Sequence, residues 1–245
     1  MLENTFIHLP NFGPNREKKL WNSGIKTWDD FLEEFSSSPY HSHLCSLVAR
    51  SKNALKSRNA SHFGYAMPKN ETWRCVPDFP KAAYLDIETT GFLAPHNYVT
   101  VIGVYDGKKT RSYVQGDNLD EFADDIAKFD TVVTFNGSLF DLPFIRCEIP
   151  EAPLPSIHID LRFLLSSLEV RGGLKKIEQK FGLERDDDLK GLTGYDAVLL
   201  WRKYKKHKDK TALEKLVRYN AADVSNLKIL IEWAYKEKRK RIGID

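Results

Sequence analysis

The spacing of apolar positions changes along the chain, and those changes divide it. From Ala82 to Ile87 the residues are apolar and partly aromatic, the pattern of a buried strand. Tyr98–Tyr105 and Thr110–Val114 read as two more strands, and Asp106-Gly107 between them is a strong hairpin signal. A helix, a fourth strand within Asp130–Gly137 and another helix then carry the chain to Glu148. Ile157–Ile159 is a short strand, and the rest is mostly helical. The helical period is clearest from about Leu213 to Trp233, where Leu213, Leu216, Val217, Val224, Leu227 and Leu230 form one apolar stripe. This order predicts an α/β domain with a mixed sheet flanked by helices.

The first third of the chain has no such strands. Two short helices are expected, one over about Asn15–Trp21 after the Gly13-Pro14 turn and one capped by Thr27. Ser36-Ser37-Ser38-Pro39 marks a break after them, and Val76–Pro80 marks the entry to the α/β domain. The expected organisation is therefore a small helical unit over 1–38, a basic helical or linker segment over 39–80 with Leu44–Ser57 helical, and the α/β domain over 81–245.

Composition adds little beyond a soluble globular class, at 42% hydrophobic and 29% charged residues. No apolar run is long enough to span a bilayer and no secretory signal opens the chain, so neither a membrane nor export is expected. Cys45, Cys75 and Cys147 are odd in number and widely spaced, which suits a reducing, cytoplasmic setting. His41, His43 and Cys45 match no common zinc spacing. The net charge of +3 decides nothing, but its distribution does more. Between Tyr40 and Arg74, the cations Arg50, Lys52, Lys56, Arg58, Lys69 and Arg74 face the single acid Glu71 and interleave with Phe63, Tyr65 and Trp73. That mixture suits either a nucleic-acid track or a solvated face with ordinary aromatic anchors. A second basic cluster follows Trp201, and a third, Lys236–Arg241, is expected to be a frayed, solvated terminus.

The chemistry is concentrated in four carboxylates and a tyrosine. Asp86 and Glu88 are two apart at the end of the first strand, so both project from one face. Asp141 is expected in the first turn of a helix capped by Ser138. Tyr219 and Asp223, four apart on a helix, share a face. Four converging carboxylates cannot all stay ionised without cations between them, and hard divalent ions take such oxygen ligands. Asp186-Asp187-Asp188 has the composition of a metal site but the context of a solvated acidic turn.

These residues fall into motifs. Asp86-Ile87-Glu88-Thr89-Thr90 reads D-x-E, Asn136 to Asp141 reads N-x-x-x-F/Y-D, and Tyr219 to Asp223 reads Y-x-x-x-D. In that order they resemble the DnaQ-like 3′–5′ exonucleases of the DEDD superfamily, which share the ribonuclease H-like fold. Arg218 stands where one subgroup has histidine, so the tyrosine subgroup (DEDDy) is the match. The blocks IHIDLR, GGLKKIEQKFGL and GLTGYDAVLLW are similar to the YprB-type ribonuclease H-like proteins, and the resemblance covers roughly Lys81–Trp233. It implies a ribonuclease H-like α/β fold and 3′–5′ hydrolysis of single-stranded DNA or RNA with two Mg²⁺ or Mn²⁺ ions, the rival readings being an exoribonuclease or a nuclease of different polarity on the same scaffold and a non-catalytic nucleic-acid-binding module. Asp86 is implied to bridge the ions, Glu88 and Asp223 to complete one of them, Asp141 to hold the other through water, and Tyr219 to orient the attacking water. Thr89, Thr90 and Phe92 are implied as substrate-binding residues, with Leu93 beside them. Asn136 would contact the terminal nucleotide or steady the Asp141 turn, and Asp160 would be a supporting acid or a strand-end cap. Leu9-Pro10-Asn11-Phe12-Gly13-Pro14 also resembles a helix-hairpin-helix turn, with Asn11 in place of the first glycine. Such turns hold nucleic-acid phosphates, which tilts the expected substrate toward DNA, the alternative being a small helical packing unit that touches no nucleic acid.

Overall fold

A computed structural model describes residues 1–93 and 96–243. The chain divides into two compact units, one of Met1–Pro80 with Pro155–His158 and one of Lys81–Leu154 with the residues from Ile159 onward.

The first unit contains α1 (Pro14–Asn22), α2 (Trp28–Phe35), α3 (Ser42–Lys56) and α4 (Ala60–Ala66). Pro14 occupies the first turn of α1, where its missing N–H is not needed. Thr27 and Asp30 form a reciprocal capping box at α2. Asn11 adopts a left-handed backbone with φ of 61°, a conformation that asparagine tolerates. The core gathers Phe6, Trp28, Phe31, Phe63 and Phe79. At its centre lies a charged group, in which the Arg74 guanidinium donates to Glu71 at 2.8 Å and to Glu17 at 2.9 Å. Glu17 also accepts the backbone N–H groups of Phe6 and Ile7 at 2.7 and 3.2 Å. Arg74, Phe63 and Trp73 are buried and cannot belong to an exposed nucleic-acid track. Their spacing among basic residues concealed an internal ion pair and two core anchors.

The second unit carries most of a five-stranded sheet in the order β3-β2-β1-β4-β5. The strands are β1 (Ala82–Thr89), β2 (Val99–Tyr105), β3 (Thr110–Val114), β4 (Thr131–Thr134) and β5 (Ile157–Asp160). β1 pairs antiparallel with β2 and parallel with β4, and β2 pairs antiparallel with β3, so the sheet is mixed. The helices are α5 (Phe122–Ile126), α6 (Asp141–Glu148), α7 (Leu161–Ser166), α8 (Leu174–Lys180), α9 (Gly194–His207) and α10 (Lys210–Ile242). Alternation along β2 and β3 separates two cores, with Ile102 and Tyr113 in one and Val101 and Val114 in the other. Ala83, Leu85 and Ile87 pack with Phe122, Phe144 and Ile145, whereas Val101 and Val114 lie with Trp201, Leu216 and Tyr219 of α9 and α10. This is the ribonuclease H-like arrangement, with a helical region preceding it in the chain.

Two expectations change. Ser138 does not cap α6, because its hydroxyl and N–H both go to Asp160, and Phe140 takes the cap position without a side-chain bond. Lys236–Arg241 is not frayed, because α10 continues to Ile242. Gly243 ends it in a left-handed cap with φ of 74°, and the last-turn cations complement the helix dipole. Among the described residues, no helix is long and apolar enough to cross a membrane.

Candidate active site

β1 delivers Asp86 and Glu88 onto the face covered by α10. Asp86 stands opposite Gly103 of β2 and Glu88 opposite Val101, and the register slips just beyond Glu88. That irregularity ends regular pairing where the strand gives way to the Gly91 turn.

Asp141 reaches the same place from the start of α6. Its Oδ1 accepts the N–H of Ile87 at 3.1 Å, so it is fixed to the strand between the two β1 acids. The loop before it is held by Asp160, which accepts the N–H of Asn136 at 2.8 Å and of Ser138 at 3.1 Å. Asp160 also caps α7 by accepting the N–H of Arg162 at 3.1 Å. Asn136 takes a left-handed φ of 68°, and its side-chain oxygen accepts from Arg162.

α10 contributes Tyr219, Asn220 and Asp223. Asp223 is buried and accepts from Arg185, which also grips Glu178 through both carboxylate oxygens. The Tyr219 hydroxyl accepts from the Lys175 ammonium at 2.7 Å. Asn220 donates to the Asp86 carboxylate at 2.9 Å and to the Asp86 carbonyl at 3.1 Å. Space for this amide exists only because residue 103 is glycine, since a Cβ there would stand 2.1 Å from the Asn220 oxygen. Among the described residues, that buried oxygen has no hydrogen-bond partner.

Asp86, Glu88 and Asp223 each offer an oxygen within 4.8 Å of the others. Asp141 is not in that trio but lines the same solvent-open cavity, of about 200 Å³, together with Tyr219, Phe92 and Asn136. A second cavity, of about 370 Å³, shares Asp86, Tyr219 and Asp223 and extends to Lys175 and Lys176. Burial raises Asp86 well above the ordinary carboxylate range, and the charges of Asp223, Asp141 and Glu88 raise it further. Burial and then Asp223 and Asp141 do the same to Glu88. Burial pushes Asp141 up to about 7 against its backbone hydrogen bonds, and burial also raises Asp223 despite Arg185. Burial, then Asp223 and Glu88, raises the Tyr219 phenol, which stays protonated at neutral pH. Crowded, buried, all-oxygen donors of this kind fit a hard divalent cation, which relieves the repulsion that otherwise protonates them.

Thr89 lines the cavity, but its hydroxyl donates to the Gly91 carbonyl. Thr90 does not line it, and its hydroxyl accepts the Tyr98 N–H at 3.1 Å within the same loop. Phe92 is 74% exposed at the cavity wall, and Leu93 is exposed beside it. Asp186 and Asp188 pair with Arg218, and Asp187 pairs with Lys190. Lys175, Arg185 and Asn220 had no assigned role in the sequence motifs. One legible signal was Gly103, a glycine inside an apolar strand, which marks close approach by another group.

Residues 83–235, more than half of the chain, match the RNase_H superfamily, and the chain belongs to it. Similar folds occur in the family B DNA polymerase of the hyperthermophilic archaeon Pyrobaculum calidifontis, at 15% identity and a TM-score of 0.48, covering 65% of this chain and 24% of the polymerase. This chain thus spans about a quarter of the polymerase's length. Brucella melitensis NrnC bound to pGG is similar at 19% identity and a TM-score of 0.45, covering 72% of this chain and 79% of NrnC. The Aedes aegypti Nibbler EXO domain is similar at 16% identity and a TM-score of 0.40, covering 72% of this chain and 88% of that domain. No curated protein matches the chain in sequence.

Proposed function

We propose that this member of the RNase_H superfamily is a metal-dependent 3′–5′ exonuclease of the DEDDy, YprB-like type, acting on single-stranded nucleic acid with DNA favoured over RNA. The observation that carries the reading is the trio of half-buried Asp86 with buried Glu88 and Asp223, their oxygens within 4.8 Å of one another and Asp141 pinned beside them. A carboxylate cluster raised so far by burial and mutual repulsion has no structural use of its own. Two Mg²⁺ or Mn²⁺ ions held there would supply water activation at neutral pH and charge stabilisation at the leaving oxygen.

The chain's own groups divide the remaining work. Asp86, Glu88 and Asp223 would be the direct cation ligands, and Asp141 would act beside them from its fixed position on the Ile87 N–H. Asn220 holds the Asp86 carboxylate and Arg185 holds that of Asp223. The Lys175 ammonium can only donate, so it takes a lone pair of the Tyr219 oxygen and leaves the phenolic hydrogen to be donated elsewhere. Tyr219 therefore serves as a donor that orients water or a phosphate oxygen. Phe92 packs against the terminal base, Thr89 and Asn136 shape the pocket wall, and Thr90 acts only by holding the loop that carries Phe92. The segment 1–38, with its helix-hairpin-helix-like turn, and the basic segment 39–80 contact the substrate backbone.

Single-stranded DNA and RNA, labelled at each end in turn, test the proposal with Mg²⁺ or Mn²⁺ present and after chelation. Stepwise release of nucleotides from the 3′ end, lost on chelation and in Asp86→Asn, is expected. Internal cuts, 5′ trimming or metal-independent cleavage would overturn it.

A further inference from the structure

We propose that the outer stripe of α9 is the track along which the substrate strand leaves the cavity, stacking a base at its near end and pairing phosphates at its far end. This rests on the nuclease reading and deepens it. Gly194 and Val198 of α9 line the carboxylate cavity. Beside them on the helix surface, Tyr195 is 59% exposed and Leu199 is 42% exposed. Continuing at helical spacing, the next residues on that face are Arg202 and Lys206, both exposed. At 3.6 residues per turn, Tyr195, Leu199, Arg202 and Lys206 fall within an arc of about 60° over roughly 16 Å of helix.

The stripe is presented rigidly. Ala197 and Trp201 bury the opposite face, the Trp201 indole donates to the Tyr98 hydroxyl at 3.2 Å, and a Thr193–Asp196 capping box fixes the near end. Among the described residues, no ion pair engages Arg202 or Lys206, whereas the neighbouring Lys203 pairs with Asp209 at 2.8 Å. An aromatic and an aliphatic side chain at the cavity mouth, followed by two unengaged cations on one line, complement a single strand whose end lies in the cavity. Bases stack on exposed rings without sequence preference, and phosphates pair with the cations.

The test uses the full chain with Ca²⁺ in place of Mg²⁺, a long oligothymidylate and an oligouridylate of equal length, and binding titrations across salt concentrations. Arg202→Gln with Lys206→Gln should reduce the salt slope by about 1.4, at about 0.7 per phosphate on a single strand. Tyr195→Ala should weaken binding without changing the slope. Lys203→Gln with Lys208→Gln removes the same charge from the same helix end but off the stripe, and should change the slope much less. Thermal melts confirm that each variant folds. Equal slopes for wild type and the stripe variant, or equal losses in the two double variants, would overturn the track and leave α9 as a diffuse charge or a protein-binding face. A wild-type chain that binds neither DNA nor RNA would instead remove the nuclease reading, and the track would fall with it.

Discussion

At the scale of single residues, the site is an electrostatic problem held in check by a few partners. Asp86, Glu88, Asp141 and Asp223 all have folded-state affinities for protons above those of exposed carboxylates, with burial as the first cause. Between the ordinary carboxylate range and those raised values, the folded chain binds more protons than the unfolded one. Stability therefore falls as pH rises through that window, which for Asp141 extends to about 7. Metal-free protein should lose thermal stability as pH rises from about 4 to about 7, and added Mg²⁺ should restore it most at the upper end. Asp86→Asn should flatten this dependence, raise the metal-free melting temperature and abolish cleavage. Melting curves in chelator across pH check the sign, and a flat wild-type profile would mean that the acids ionise freely. Lys175 and Tyr219 offer a second test through a double-mutant cycle. If Lys175 acts by orienting the Tyr219 hydroxyl, Lys175→Met and Tyr219→Phe should each lower kcat, and the double variant should be no worse than Tyr219→Phe alone. Additive losses would give Lys175 a separate role. The five motif residues were legible because their types and spacing are local. Lys175, Arg185 and Asn220 were not, because each acquires its role from a partner far away in sequence, as when Arg185 meets Asp223 across 38 positions.

At the scale of elements, strand positions followed closely from apolar runs where the strand is buried, as at β2, and from the Asp106-Gly107 hairpin signal where it is half exposed, as at β3. Helix ends followed where the cap was local, as at Thr27. They departed where a side chain was claimed from a distance, as Ser138 is by Asp160, or where a terminal cap extended the helix, as Gly243 does for α10. The packing of β2 against α10 gives the sharpest prediction at this scale. A Cβ at position 103 would meet the Asn220 oxygen at 2.1 Å and its Cγ at 3.0 Å. Gly103→Ala should therefore expel the Asn220 amide, release Asp86 and destabilise the fold by about 1–3 kcal/mol. Adding Asn220→Ala should relieve the clash and recover part of that stability without restoring activity, because Asp86 would still lack its donor. Denaturation midpoints and turnover for the two variants separate the effects. Full activity in Gly103→Ala would show that Asn220 does not position Asp86.

At the scale of the whole chain, two units with different kinds of core share one sequence. The second unit separates its cores by strand alternation, whereas the first closes around the buried Arg74 with Glu17 and Glu71. Composition concealed this, since Arg74, Phe63 and Trp73 had the look of a nucleic-acid track and are internal. What remains on the surface of that segment is Arg50, Lys52, Lys56, Arg58, Lys69 and Tyr65. Lys52 pairs with Asp29, and Arg58 donates to the Asp78 carbonyl at 2.9 Å. That leaves Arg50, Lys56 and Lys69 as the exposed cations of the segment best able to meet a phosphate. If the first unit holds substrate, replacing those three with glutamine should lower the salt slope of binding by up to about 0.7 for each phosphate no longer neutralised. The melting temperature should hardly change, because exposed charges contribute little to stability. Arg74→Met should do the opposite. It leaves Glu17 and Glu71 buried without their cation and should cost about 3–5 kcal/mol of stability. Binding titrations in Ca²⁺ and urea denaturation distinguish the two classes of residue. An unchanged slope in the triple variant would assign the first unit to packing or to a protein partner rather than to the strand.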